Sequence, residues 1–148
     1  MSNTIITQPA VAGPTPPFGY FGTLDDVQDE GGKKNVVTYS NLDGRQNEAD
    51  YPRLQRVMNK MDRYVTQYLR ANGIGKPAVD SSGFEQLTDA WALLVLSRIY
   101  NSRGDLDTQN DSQGQTSADV WKREARRALR LYATQKRGGN ITSSFAIG

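Results

Sequence analysis

Apolar residues gather in three stretches of this chain, and the densest is Phe84 to Tyr100, FEQLTDAWALLVLSRIY. Phe84, Leu87, Trp91, Leu94, Val95 and Ile99 share one helical face, while Ala92, Leu93, Leu96 and Tyr100 carry the apolar surface round the cylinder. A helix apolar around most of its girth needs cover from several directions. The run spans roughly 26 Å at about 1.5 Å per residue. Glu85, Asp89 and Arg98 interrupt it, so the pattern fits a central core helix and not a membrane span. Upstream, Leu54, Val57, Met58, Met61, Tyr64, Val65, Tyr68 and Leu69 repeat at the i, i+3, i+4, i+7 spacing, with Arg53, Arg56, Lys60, Arg63 and Arg70 on the remaining surface. Downstream, Val120, Trp121, Ala125, Ala128, Leu129 and Tyr132 form the apolar face of a third helix. The spacing predicts helices over about 50–72, 83–103 and 117–137. Two flanking helices leave a strip at Leu93, Leu96 and Tyr100 to be covered by a neighbouring subunit or an arm.

Local signals punctuate these elements. Asp50 is placed to cap the first long helix, Pro52 suits its opening turn, and Gly73 offers a left-handed stop. Thr116 or Ser117 caps the third, with Asp119 in its first turn and Lys136-Arg137 in its last, as the macrodipole prefers. Thr23 starts a short acidic helix, with Asp26 reaching back as in a capping box and Gly31-Gly32 ending it. Asn35 to Tyr39 is β-prone, which predicts an extended connector or a strand in need of a partner. Ser40 to Asp50 reads as a turn, and the polar stretch after Gly104 as a long loop. The expected fold is all-α, a small three-helix core bundle with a short extra N-terminal helix and extended N- and C-terminal arms. Its divisions are an arm at 1–22, a helical domain at 23–137 and a flexible tail at 138–148.

The arm is proline-rich and uncharged, with Pro9, Pro14, Pro16 and Pro17, and this excludes a helix or a central strand. Ile5, Ile6, Val11, Phe18, Tyr20 and Phe21 make it more apolar than a solvated leader needs, so it is expected to lie on another protein. Ile141, Phe145 and Ile147 in the tail are expected to do the same. The N-terminus has no basic start followed by an apolar stretch, so no secretion signal is expected.

Charge divides the chain. Residues 1–50 carry three basic against seven acidic residues, and residues 117–148 seven against two, although the total is only +2. Such asymmetry suits head-to-tail packing of copies or a basic face meeting an acidic partner. Lys122, Arg123, Arg126, Arg127 and Arg130 form that basic face, able to meet a subunit or a phosphate backbone. Chemistry is thinly represented. There is no cysteine and no histidine, which excludes thiolate catalysis and removes the commonest general base and metal ligand. No phosphate-binding glycine loop occurs, since Gly73-Ile-Gly-Lys76 is a turn without the rest of one. Asn41, Asp43 and Asn47 lack the alternation and terminal glutamate of a calcium loop. Asp25/Asp26 and Asp29/Glu30 read as helix-start charge. Neither catalytic residues nor a metal or cofactor are expected.

Tyr20 with Thr23, Asp26-Val27, Asn35-Val36, Ser40, Leu42-Asp43-Gly44, and a helix carrying Asp62 and Tyr68-Leu69 resembles the opening of tailed-phage head-tail adaptor proteins, also called connector or head-completion proteins. An apolar second helix, a polar loop and an Arg-rich third helix with a flexible tail extend the resemblance over about 20–138. The resemblance implies a helical-bundle subunit without catalytic residues. It assembles as a homo-oligomer, usually a twelvefold ring, beneath the portal protein. Packaged DNA passes through the ring, which docks the next neck or tail (stopper or tail-terminator) component, and terminal segments reach onto the portal or adjacent subunits. The place implied is the virion, after assembly in the host cytoplasm, without a membrane. The second reading left open by the residues is a small helical DNA-binding protein using Lys122 to Arg137.

Overall fold

The computed structural model describes residues 15–41, 48–101 and 112–147, with side chains of the last stretch described over 117–137. The fold is all-α. Five helices follow in order: α1 (Leu24–Gly31), α2 (Lys33–Ser40), α3 (Tyr51–Ala71), α4 (Phe84–Asn101) and α5 (Ser112–Ile147). Among the described residues there is no strand, only an isolated antiparallel bridge between Phe18 and Thr23.

The apolar run becomes α4, and all four other helices pack on it, α5 most extensively. Every residue from Ala90 to Ser97 is buried, Trp91 completely. α3 presents Leu54, Met58, Val65 and Leu69 to the same core, and α5 adds Ala125, Leu129 and Tyr132. Burying side chains of this size stabilises by about 1.5–3 kcal/mol each. The small alanine in α5 lets its backbone come close to α4.

The caps read from the sequence at α1 and α3 are present. Thr23 and Asp26 form a reciprocal capping box at α1. Asp50 accepts the Arg53 backbone N–H at 3.1 Å at α3, and Gly73 follows that helix with φ +76°.

Four expectations are revised. Residues 33–40 form α2 and not an extended connector. Gly32, at φ +88°, turns the chain out of α1, the Asn35 side chain donates to the Gly31 carbonyl at 2.8 Å, and Val36 is wholly buried. Burial of one valine in the shared core thus overrides the β preference of Asn35 to Tyr39. The strip at Leu93, Leu96 and Tyr100 is closed within the chain. α1 ends against Leu96 so tightly that a methyl group on Gly31 would overlap it. Tyr39 of α2 meets Tyr100 edge-on at 5.0 Å, and Leu93 is only 8% exposed. Next, α5 is longer than 117–137: it begins at Ser112, within the stretch expected as a loop, so Thr116 and Ser117 lie inside it and do not cap it, and it runs through Gly138-Gly139 into the segment expected as a flexible tail. Glycine weakens a helix without removing a backbone donor, and no proline follows. Last, Arg53 is not a surface residue. It is 5% exposed, donating from Nη1 to the Tyr39 carbonyl at 2.6 Å and from Nη2 to the Ile99 carbonyl at 3.0 Å. Its guanidinium therefore joins the C-terminal turns of α2 and α4, where a positive charge is favoured.

Arg53→Met should lower stability by about 2–4 kcal/mol, the scale of breaking charge-assisted hydrogen bonds in a buried site. The readout is the urea midpoint at constant m-value, and an unchanged midpoint would show that α2 and α4 do not depend on this side chain.

Candidate assembly surfaces

The leader meets the body as a tight turn. Gly19 N–H donates to the Gly22 carbonyl at 2.8 Å, and both glycines lie against Trp91. A Cβ at Gly19 would sit 2.6 Å from Trp91 Cζ2, and one at Gly22 2.7 Å from Trp91 Cζ3. Only residues without side chains let the turn lie this close to the indole. Tyr20 N–H donates to Asp62 Oδ2 at 2.8 Å, its hydroxyl donates to the Pro77 carbonyl at 2.6 Å, and Lys76 Nζ stands 3.9 Å above its ring. Phe21 is 1% exposed and stacks on Phe84 at 5.6 Å, while Thr88 donates its hydroxyl proton to the Phe21 carbonyl at 2.6 Å.

Phe21 is therefore a core residue and Tyr20 a half-buried tether, not free members of an arm. Phe18 remains available. Its backbone is pinned by Gln55, which accepts from Phe18 N–H at 3.2 Å and donates to its carbonyl at 2.8 Å, yet the residue is 59% exposed. Ile5, Ile6 and Val11 lie outside the described residues. Ile141, Phe145 and Ile147 fall on the α5 backbone, with side chains outside the described set. Asn41 directs its amide to the Val37 and Glu48 carbonyls, both at 2.8 Å, whereas Asp43 and Asn47 lie outside the described residues.

Lys122, Arg123, Arg126, Arg127 and Arg130 are all exposed on α5 and fall within an arc of about 140° at about 100° per residue. Lys122 and Arg126 turn toward α3 and line a groove of about 410 Å³ whose other walls are α3 and α4. Lys60, Arg63, Tyr64 and Gln67 come from α3, and Leu94, Ser97, Arg98 and Asn101 from α4, with Met61 in the floor. Among the described residues the groove thus collects five cationic side chains and no carboxylate. Arg123, Arg127 and Arg130 lie outside the groove lining, about 40–100° round α5 from Arg126, and continue the same basic face outward as a ridge. Lys60, Arg63 and Arg98 were not singled out from the sequence as partners of the α5 basic residues. Each looked like solvated helix surface, and only the packing of α3 and α5 on either side of α4 brings them together.

An acidic face lies elsewhere. Asp26 of α1 and Glu85 and Asp89 of α4 line a shallow depression of about 560 Å³ beside the Gly19–Thr23 turn. Partial burial holds the Asp89 carboxyl above the usual carboxylate range, and repulsion from Asp26 and Glu85 adds to the rise. Glu30 is raised in the same way, first by burial and then by Asp89, Glu124 and Asp29. Glu85 is nine residues from Leu94 on α4, about 180° round the helix, and Glu124 stands about 160° from both Lys122 and Arg126 on α5. Acidic face and basic groove therefore occupy opposite sides of one body. Among the described residues, no group of three or more histidine, cysteine or acidic side chains is arranged to hold a metal ion, and no helix is long and apolar enough to cross a membrane.

Comparison with protein-family models, with curated proteins and with solved structures finds no match.

A carboxyl whose pKa is raised by folding binds its proton more tightly in the folded chain than in the unfolded one. The stability it contributes is therefore greatest below the ordinary carboxylate pKa and falls as pH rises through the raised value. Glu30→Gln with Asp89→Asn should raise neutral-pH stability by about 0.5 kcal/mol, the scale of exposed like-charge contacts. The pair should also flatten this part of the profile, as measured by urea unfolding at mildly acidic and neutral pH. Lower stability in the neutral variant would mean that the two carboxylates make favourable contacts.

Proposed function

We propose that the chain is a structural adaptor at the head-tail junction of a tailed phage. In this reading copies assemble as a ring beneath the portal, twelve in number if it follows the family it resembles. The ring prolongs the channel for packaged DNA and docks the next neck or tail component. Its place is the virion, after assembly in the host cytoplasm.

The observation that carries the reading is a helical body with an acidic face and a basic groove on opposite sides of the same buried helix. Two different, complementary patches on opposite sides cannot both be used in a two-fold dimer of rigid copies. They join head to tail, and such contacts close into rings or run on as filaments. The resemblance at Tyr20 to Leu69 selects the ring, and the apolar leader that precedes the pinned Phe18 supplies a lash to the portal or a neighbouring copy. Absence of cysteine and histidine is in keeping with a structural part.

Deleting residues 1–14 should leave the thermal midpoint unchanged, because the turn on Trp91 and the bonds to Gln55 are retained, while attachment to the cognate portal is lost in pull-down and particle assembly. Normal attachment of the truncated chain would refute the role of the leader.

A second reading, a small helical DNA-binding protein, is favoured by the outward ridge of Arg123, Arg127 and Arg130. It predicts duplex binding that falls steeply with salt. Gel-shift titration at two salt concentrations separates the two: weak, nonspecific retention fits the adaptor, and tight binding that Arg123→Glu with Arg127→Glu abolishes fits the alternative.

A further inference from the structure

We propose that the groove between α3, α4 and α5 is the receptor for the acidic α1–α4 face of a second copy of this chain. The proposal rests on the ring reading above and names the contact that would build it.

Charge complementarity identifies the occupant. Lys60, Arg63, Arg98, Lys122 and Arg126 reach the groove from three different helices. Among the described residues, none that lines the groove is acidic. On the other side of the body, Asp26, Glu85 and Asp89 face one depression, and α1 adds Asp29 and Glu30. Burial and then neighbouring carboxylates raise both groups, Asp89, Glu124 and Asp29 acting on Glu30 and Asp26 and Glu85 acting on Asp89. A basic groove on a second copy would relieve that repulsion.

The groove is also a poor fit to a nucleic-acid backbone alone. Met61 and Leu94 form its floor, and the exposed edge of Tyr64 is in its wall. A folded protein surface would cover this apolar part, which a strand of phosphates would leave wet. The outward arginine ridge on α5 takes no part in this contact and stays free for another partner.

The contact should be weak in isolated copies, sensitive to salt, and strengthened when many copies are held together, because exposed charges are screened beyond about 10 Å at 0.1 M salt. Two full-length variants test it by charge exchange. One carries Arg63→Glu and Arg98→Glu in the groove, and the other Glu85→Lys and Asp89→Lys on the acidic face. All four positions are exposed, and Asp26 is left alone because it belongs to the α1 capping box. Circular dichroism and the thermal midpoint check that each variant is folded.

Sedimentation velocity over a concentration series, at low and high salt, is run on the wild type, each variant and their equimolar mixture. Each variant alone should lose self-association by about tenfold or more, since attraction becomes repulsion at two pairs. The mixture should recover it, because the introduced glutamates of one variant then meet the introduced lysines of the other, while the unaltered groove of the second meets the unaltered acidic face of the first. Variants that self-associate like the wild type would overturn the proposal while leaving the ring intact, and so would a mixture that stays dissociated. A wild type that never associates, alone or on the portal, overturns both. A closed two-fold dimer cannot use both opposed faces, so a wild type that stops at such a dimer would overturn both the groove contact and the ring. Loss of duplex binding in the groove variant with self-association unchanged would assign the groove to nucleic acid and overturn the proposal.

Discussion

α4 is apolar around most of its girth, and a chain of 148 residues must bury it with what little else it has. The remaining elements are arranged by that demand. α3 and α5 cover it along its length, α1 and α2 fold over the side they leave open, and the Gly19–Gly22 turn seals Trp91. Arg53 then fastens the last turn of α4 to the last turn of α2 through two carbonyls. α2 therefore needs no good helix sequence of its own. Tertiary contact and one charged side chain hold it, as expected for a short helix that would not form alone.

That arrangement determines what is left for partners. The apolar faces of the helices are used inside the body, and the large exposed hydrophobic side chains are scattered, with Phe18, Val79 and Leu131 far apart in sequence. What remains on the surface is charge, separated onto opposite sides of α4 and α5. The acidic side carries a cost in the isolated chain, because Glu30 and Asp89 are held among like charges in partly buried positions. Residues retained at a cost to stability are the ones to examine for a role in binding. Charged contacts of this kind favour encounter and register over raw affinity, which suits copies that must join in one order.

Much of the bundle can be read from the sequence. α3 and α4 follow from periodicity, and the boundaries of α3 from Asp50 and Gly73, because those signals are local to the helices that they describe. α2 is illegible for the opposite reason: its residues prefer extended backbone, and only the buried Val36 and the turn at Gly32 make it helical. Arg53 leaves a faint trace, since it stands four residues before Val57 on the apolar stripe, but arginine in an otherwise basic helix reads as solvated surface. Tyr20 and Phe21 look like parts of an arm until Gly19 and Gly22 are seen against Trp91. The groove is harder still. Lys60, Arg63 and Arg98 sit on two helices separated by a loop, and their meeting with Lys122 and Arg126 depends on how three helices pack.

The central claim is that copies of this chain join head to tail through opposed charged faces around a rigid α4 core. Cryo-electron microscopy of the chain assembled on its portal tests it most directly. The account predicts a closed ring in which α1 and the Asp89 side of each subunit lie in the Arg63–Arg98 groove of the next, with the five-helix body unchanged. A ring whose grooves face solvent or DNA, with the acidic faces unpaired, would contradict it.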